Sequence, residues 1–232
     1  MVSRYQVNGR RSELMACNVC DNNLHLLWLN GKIRHVKPKN EKCPSCTADP
    51  RFKTFRIIFD QKVIPGVVLP SGELKALVIS GTQWEQDIIR KRYGTLVSAA
   101  LYGRYGDNTV KTDLRDLKEF QDEEFDFVEA CGVIDFIVEV DKVFGAVKRA
   151  LKPGGQFLFH ILDHRLTDSS KPPAVTGTKV EPYFPKGIEL PSVQFGRQYL
   201  YNALGKAGFR AAQFEVRDIF SGETCTWYLG RK

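Results

Sequence analysis

Apolar residues recur at positions 52, 55, 58 and 59 with cations between them, a helical spacing that predicts a short amphipathic helix over residues 50–59. Pro65, Pro70 and Gly72 then mark a linker, and from about Leu74 onward apolar runs alternate with helical patterns. Residues 75–79, 95–100, 109–112, 125–130 and 156–161 read as strands. Residues 84–89 and 138–151 read as helices, the second with Val140, Val143, Phe144 and Val147 on one face. Lys152-Pro153-Gly154-Gly155 stops that helix, because proline cannot continue it and glycine turns the chain at little steric cost. A final helix over 198–207 and candidate strands over 210–216 and 224–229 complete the pattern. Such alternation is the mark of βαβ units, so the expected fold is α/β with a Rossmann-like, mostly parallel sheet over residues 61–232. Residues 163–192, rich in Pro, Ser, Thr, Lys and Gly and without periodicity, read as a long loop or lid.

The first 60 residues have a different character. Cys17-Asn18-Val19-Cys20 and Cys43-Pro44-Ser45-Cys46 form two pairs with 22 residues between them. Two short turns that each aim two thiolates at one tetrahedral centre are the spacing of a zinc site, and the intervening stretch is long enough for a hairpin. With Cys17, Cys20, Cys43 and Cys46 all supplying thiolate, no position remains for a metal-bound water, so the expected zinc is structural. Residues 1–60 therefore read as a zinc ribbon with a connecting helix. They hold 11 Lys/Arg against 5 Asp/Glu, or +6 of the net +7. Such a patch suits phosphate, nucleic acid or an acidic small molecule, or is simply a solvated face.

Composition adds only exclusions. At 232 residues, 43% hydrophobic and 26% charged, the chain is an ordinary globular one. No apolar run approaches the roughly 18 residues of a membrane span, and the charged N-terminus does not read as a secretory signal. The expected location is the cytoplasm, where thiols stay reduced.

Phe125-Asp126-Phe127-Val128, then Val133-Ile134-Asp135, then Leu151-Lys152-Pro153-Gly154-Gly155 resemble the fourth strand, helix and fifth-strand entry of class I S-adenosylmethionine-dependent methyltransferases, here with an N-terminal four-cysteine zinc ribbon. The resemblance extends through Asp113-Leu114-Arg115 upstream and Val193-Gln194-Phe195-Gly196-Arg197 downstream. It implies S-adenosylmethionine as cofactor, bound where open parallel sheets bind ligands, beyond the carboxyl ends of the strands. Those ends are Ser80, Gly81 and Thr82; Ala100 and Leu101; Asp113 and Leu114; and Glu129, Ala130 and Cys131. Two departures from the family pattern stand out. Ser80-Gly81-Thr82-Gln83 replaces a glycine-rich turn, and Ser98-Ala99-Ala100-Leu101-Tyr102 lacks the acid that holds the ribose. Asp113 fits either the adenine edge or a turn-capping role.

Methyl transfer asks mainly for alignment, with a base where the acceptor is protonated. His160, late in the fifth strand, and His164 within Asp163-His164-Arg165 are the candidate bases, with Asp163 orienting a ring. His160 fits a core position equally well. Arg165, Arg197 and Tyr199 are placed to bind an anionic or polar substrate under a closing lid. The resemblance implies a small-molecule or glycan-type acceptor. RNA methylation through the basic N-terminal module, with Trp28, His25 and His35 as stacking groups, is one alternative, and a scaffold subunit that has lost the cofactor is another.

Overall fold

The computed structural model describes residues 2–7, 10–16, 23–29, 32–34, 50–60, 72–102, 109–180, 189–218 and 223–232. The chain divides into two compact units, Met1–Val67 with Val216–Cys225, and Val68–Glu215 with Thr226–Lys232.

In the first unit, strands β1 (Val2–Val7), β2 (Arg10–Ala16), β3 (Asn23–Leu29) and β4 (Lys32–Arg34) form an antiparallel sheet in that order. The stretch between the cysteine pairs thus contains a hairpin, with Trp28 opposite Ile33. Cys17, Cys20, Cys43 and Cys46 lie outside the described residues. Helix α1 (Pro50–Asp60) occupies the expected segment, but it is buried almost all round rather than amphipathic. Lys53, counted by its charge as outward-facing, is fully buried, and its Nζ lies 3.2 Å from the Asp218 carboxylate. That pairing is what lets a lysine sit among Phe52, Phe55 and Ile58, since an unpaired buried charge is costly.

The second unit is built on β5 (Gly72–Ile79), β6 (Tyr93–Ala100), β7 (Val110–Lys111), β8 (Phe125–Cys131) and β9 (Leu151–His160), all parallel to their neighbours in this group. With β13 (Arg210–Arg217) and β14 (Thr224–Arg231) they form a seven-stranded sheet ordered β13-β14-β9-β8-β5-β6-β7, with β14 antiparallel to β9. Strands buried on both faces need near-continuous apolar runs, and Ala76-Leu77-Val78-Ile79 supplies one with no residue above 2% exposure. Helices α2 (Gln83–Arg90), α3 (Val140–Ala150) and α4 (Arg197–Lys206) cover the connections. Phe144 of α3 packs 5.6 Å from Phe159, which stacks on Tyr228 at 5.0 Å. Among the described residues no helix is long and apolar enough to cross a membrane.

The sequence reading of residues 163–192 as a long loop or lid is corrected by the structure. A 3₁₀ turn at Asp163–Arg165 is followed by β10 (Leu166–Thr167), β11 (Ala174–Val180) and β12 (Glu189–Gly196), a three-stranded sheet ordered β10-β12-β11. The β11–β12 register shifts between Val175 and Gly177, and such a bulge breaks the alternation that a periodicity reading relies on. The base of this sheet is tied down. Thr167 Oγ1 donates to the Phe195 carbonyl at 3.2 Å, and the Gln198 amide donates to the Ser169 carbonyl at 3.2 Å.

Gly196 makes that tie possible, because a Cβ there would lie 2.4 Å from the Ser169 carbonyl oxygen and 2.9 Å from that of Lys171. Both obstacles are backbone, so Gly196→Ala is expected to force the 169–171 segment away and cost about 1–3 kcal/mol, as overpacking does. Urea unfolding measures the loss, and proteolysis within 168–173 should quicken. A variant as stable and as resistant as the parent would show that the segment is not held by this approach.

Candidate active site

The site is assembled where β5, β6, β7, β8 and β9 end. After Ile79 the chain turns at Ser80 with φ 52°, a left-handed conformation that a side chain seldom adopts, while the Ser80 amide donates to the Ala99 carbonyl at 2.7 Å. Gly81 follows in a position closed to any side chain: a Cβ would meet Val78 Cγ1 at 2.1 Å and approach Glu129 Oε2 to 3.4 Å. Only glycine is accommodated at this point of the turn.

Thr82 is the N-cap of α2 in a capping box, its amide and hydroxyl both donating to Glu85 Oε2 at 2.7 and 2.9 Å. The Gln86 side-chain amide donates to the Gly81 carbonyl at 3.0 Å. Glu85, the acid nearest this turn, is engaged in this cap. The first-turn amides that the capping box leaves over are those of Gln83 and Trp84, which carry the positive end of the helix.

Ala100 is buried and Leu101 half-buried at the end of β6, with Tyr102 exposed beyond them. At the end of β8, Glu129, Ala130 and Cys131 are buried, and side-chain ligand atoms of Glu85, Glu129 and Cys131 lie within 4.8 Å of one another. The first turn and the end of β8 are therefore one locus.

Asp113 and Leu114 follow β7. Leu114 is buried at 3% exposure, whereas the Asp113 carboxylate accepts from Arg115 at its backbone amide (2.9 Å), Nε (3.0 Å) and Nη2 (2.6 Å). This is the turn-capping role. The Arg115 hydrogen bonds hold the Asp113 carboxyl below its ordinary range.

The candidate bases fall in two environments. His160 is 1% exposed, paired with Trp227 across β9 and β14 with ring centroids 5.1 Å apart, so it is placed in the core. His164 is exposed on the 3₁₀ turn beyond β9. Asp163 beside it accepts from Thr226 Oγ1 at 2.6 Å, and the same hydroxyl accepts from Arg197 Nη1 at 2.6 Å. Arg197 also pairs with Asp163 at 3.6 Å and Asp168 at 3.3 Å, so the cation expected to await an anion already faces two carboxylates. Tyr199 donates to Asp141 Oδ2 at 3.1 Å.

Arg165 is likewise occupied. It is buried at 3% exposure, donates through Nη1 to the Asp135 carbonyl and lies over the Phe136 ring at 4.7 Å. Asp135 Oδ1 in turn accepts from the Leu162 amide at 2.9 Å, so the turns after β8 and β9 are clamped together. Sequence reasoning missed this clamp and the Thr226 relay. Asp135 was visible in Val-Ile-Asp, but nothing along the chain signals a partner 27–30 residues away.

Residues 93–159 match the family described as "Methyltransferase domain". Among solved structures, an S-adenosylmethionine-dependent methyltransferase from Mesorhizobium loti superposes with TM-score 0.52 at 14% identity, covering 71% of this chain and 94% of its own. A methyltransferase of Thermotoga maritima gives 0.50 at 16% identity, covering 78% and 92%. The YcgJ protein of Bacillus subtilis gives 0.50 at 10% identity, covering 77% and 97%. A search of curated proteins finds no relative of this chain. The likenesses to solved structures establish the fold, the Rossmann-like one those methyltransferases share, and within it β6 to β9 match the methyltransferase-domain family.

Proposed function

We propose that this chain transfers a methyl group from S-adenosylmethionine to a small-molecule acceptor, a glycan-type one included. The observation that carries the reading is the meeting of the 80–82 turn with the end of β8 at the carboxyl edge of the sheet, where Gly81 lies so close to Val78 and Glu129 that no Cβ is admitted.

The residues present fit the cofactor chiefly through backbone. Ser80, Gly81 and Thr82 with the Gln83 and Trp84 amides would receive its amino-acid end, Ala100 and Leu101 its ribose, Leu114 its adenine, and Glu129 to Cys131 would wall the centre. Asp113 would reach the adenine by sharing its carboxylate with Arg115. When bound, S-adenosylmethionine supplies an electrophilic methyl group on a sulfonium. The protein's part is then to align an acceptor atom and exclude water, and the rim formed by the turns after β8 and β9, with β12 packed on them, is where it does so.

In the N-terminal unit, we read Cys17, Cys20, Cys43 and Cys46 as holding one structural zinc, which suits a reducing compartment such as the cytoplasm. The +6 charge of the first 60 residues favours RNA as the second acceptor reading.

Titration calorimetry with S-adenosylmethionine and S-adenosylhomocysteine tests the first claim: micromolar binding, about 8 kcal/mol, is expected, with Gly81→Val abolishing it. No heat at millimolar ligand would return the chain to the scaffold reading. For the metal, elemental analysis should find zinc at one equivalent per chain, lost on Cys17→Ser/Cys20→Ser; a metal-free, folded wild type would refute the ribbon. RNA affinity that collapses with salt would favour the second acceptor.

The Asp113–Arg115 pair gives a pH prediction. Because the folded-state pKa lies below the ordinary 3.8, the pair contributes stability above the unfolded value and loses it as pH falls through the folded one. Arg115→Met should bring Asp113 back toward 3.8 in a carboxyl NMR titration and remove that acid-side loss. An unchanged titration would mean the arginine is not the cause.

A further inference from the structure

Helix α4 ends in a groove that neither the sheet's carboxyl edge nor the cofactor reading uses. The helix starts at the rim with Arg197 and runs 10 residues, about 15 Å, away from it. Gly208, with φ 86°, closes the helix: its amide donates to the Gly205 carbonyl at 2.9 Å, and the Phe209 amide donates to the Leu204 carbonyl at 3.0 Å. That turn folds Phe209 back beneath the helix, where it is buried and so close to Gly230 that a Cβ there would lie 2.9 Å from the ring. Phe209 and Ala211, two apart along an extended stretch, form the floor of the groove. Tyr201, Asn202, Gly205 and Lys206 of α4 form its wall.

The chemistry of this groove is one-sided. Asn202 Oδ1 already accepts from Gln198 Nε2 at 2.9 Å, so what Asn202 has left to offer is its amide hydrogens. Lys206 stands on the wall, Lys148 Nζ rests against the Gly208 turn, and Arg210 is exposed directly after Phe209. Among the described residues no carboxylate pairs with any of these three cations. Tyr201, 42% exposed, adds an aromatic ring at the surface. Depth then separates the possible ligands. A free small molecule is held by burying most of its surface, which a groove walled by four exposed residues cannot do. A polymer needs only one unit there, because its neighbouring units are held alongside. An aromatic ring over an apolar floor suits a planar base, and donors without a carboxylate suit phosphate. Single-stranded nucleic acid brings both in every unit.

We propose that the groove between the end of α4 and the start of β13 binds one nucleotide of a single-stranded nucleic acid. The base stacks on Tyr201 above Phe209, Lys206 takes a phosphate, and Lys148 and Arg210 meet the flanking ones. Gly205 keeps the groove open by having no side chain. This surface belongs to the second unit and does not draw on the basic module of residues 1–60. It stands whether or not the methyltransferase reading holds.

Photocrosslinking of the full chain to an oligouridine carrying 4-thiouridine, with fluorescence anisotropy over a salt series, tests it. Wild type should bind and crosslink within residues 197–211. Tyr201→Ala should weaken binding at this site roughly tenfold, and Tyr201→Phe should keep it, as stacking requires. Lys206→Ala should lower the slope of log affinity against log salt by about one. Gly205→Leu is the decisive variant. A side chain there meets nothing within 4 Å and favours the helix, so the protein should be no less stable in urea, yet the filled groove should lose its crosslink. Gly145→Leu, on α3 in equally open surroundings but outside the groove, should crosslink like wild type. Failure of wild type to bind, crosslinks confined to residues 1–60, a Gly205→Leu variant that crosslinks like wild type, or displacement of the oligonucleotide by polyglutamate at equal charge would each overturn the proposal. Calorimetric affinity for S-adenosylhomocysteine should be the same in all these variants, so the groove and the methyltransferase reading fail separately.

Discussion

The central strands of the large sheet are buried on both faces, and the placement of every functional group follows from that constraint. Ala76-Leu77-Val78-Ile79, Phe127-Val128 and Phe157-Leu158-Phe159 leave no side of the sheet open. Each large apolar side chain so enclosed contributes on the order of 1.5–3 kcal/mol, and the ladder satisfies the backbone between them. Polar chemistry is then confined to the strand ends or to pairs that neutralise one another. The crowding at Gly81, pressed against Val78 and close to Glu129, is the point where the packed interior gives way to the open edge. The same density that stabilises the sheet therefore fixes where a ligand can enter.

Three arginines organise the loops on this frame, and comparing them separates structure from function. Arg149 on α3 donates to the carbonyls of Asp116, Leu117 and Phe120 and to Asp122, closing the connection between β7 and β8. Arg165 clamps the turns after β8 and β9 from a buried position. The planar fork of Arg149 satisfies several acceptors that would otherwise be stranded at turn ends, whereas Arg165 donates to the Asp135 carbonyl and lies over the Phe136 ring. Arg197 differs, because its partners are two carboxylates and a hydroxyl, and it stays partly open at the rim. A cation at the first position of a helix opposes the helix dipole, so these carboxylates also stabilise the start of α4. That arrangement orients Asp163 where a neutral helix start could not.

The architecture was legible along the chain because parallel strands and amphipathic helices each leave a period. The strands over 75–79, 95–100, 125–130 and 156–161 and the helix over 138–151 all fall within elements of the structure or within two residues of their ends. What escaped had no period to reveal it. The small sheet at 166–196 is interrupted by a bulge at Val175–Gly177, and its fixation depends on Gly196 passing against backbone that sequence does not place nearby. Lys53 was counted as an outward cation because its partner, Asp218, lies 165 residues away. The bond between Thr226 and Asp163, 63 residues apart, escaped for the same reason, although the position of Asp163 just past a strand end had made it a candidate.

The two departures from the expected cofactor pattern acquire a physical meaning from this structure. The family match begins at residue 93 and so omits the turn after β5, where the side chains differ most from expectation. Yet the backbone of that turn retains what a cofactor cradle requires: a left-handed residue at Ser80, a position closed to any Cβ at Gly81, and a helix start directly after them. Recognition through main-chain donors tolerates side-chain change, because amides are present whatever residue carries them. Recognition through a carboxylate does not, and here Asp113 is already shared with Arg115 and Glu85 with the α2 cap. A site of this kind would hold a cofactor by shape and backbone first, and would draw on its acids only as far as their present partners release them.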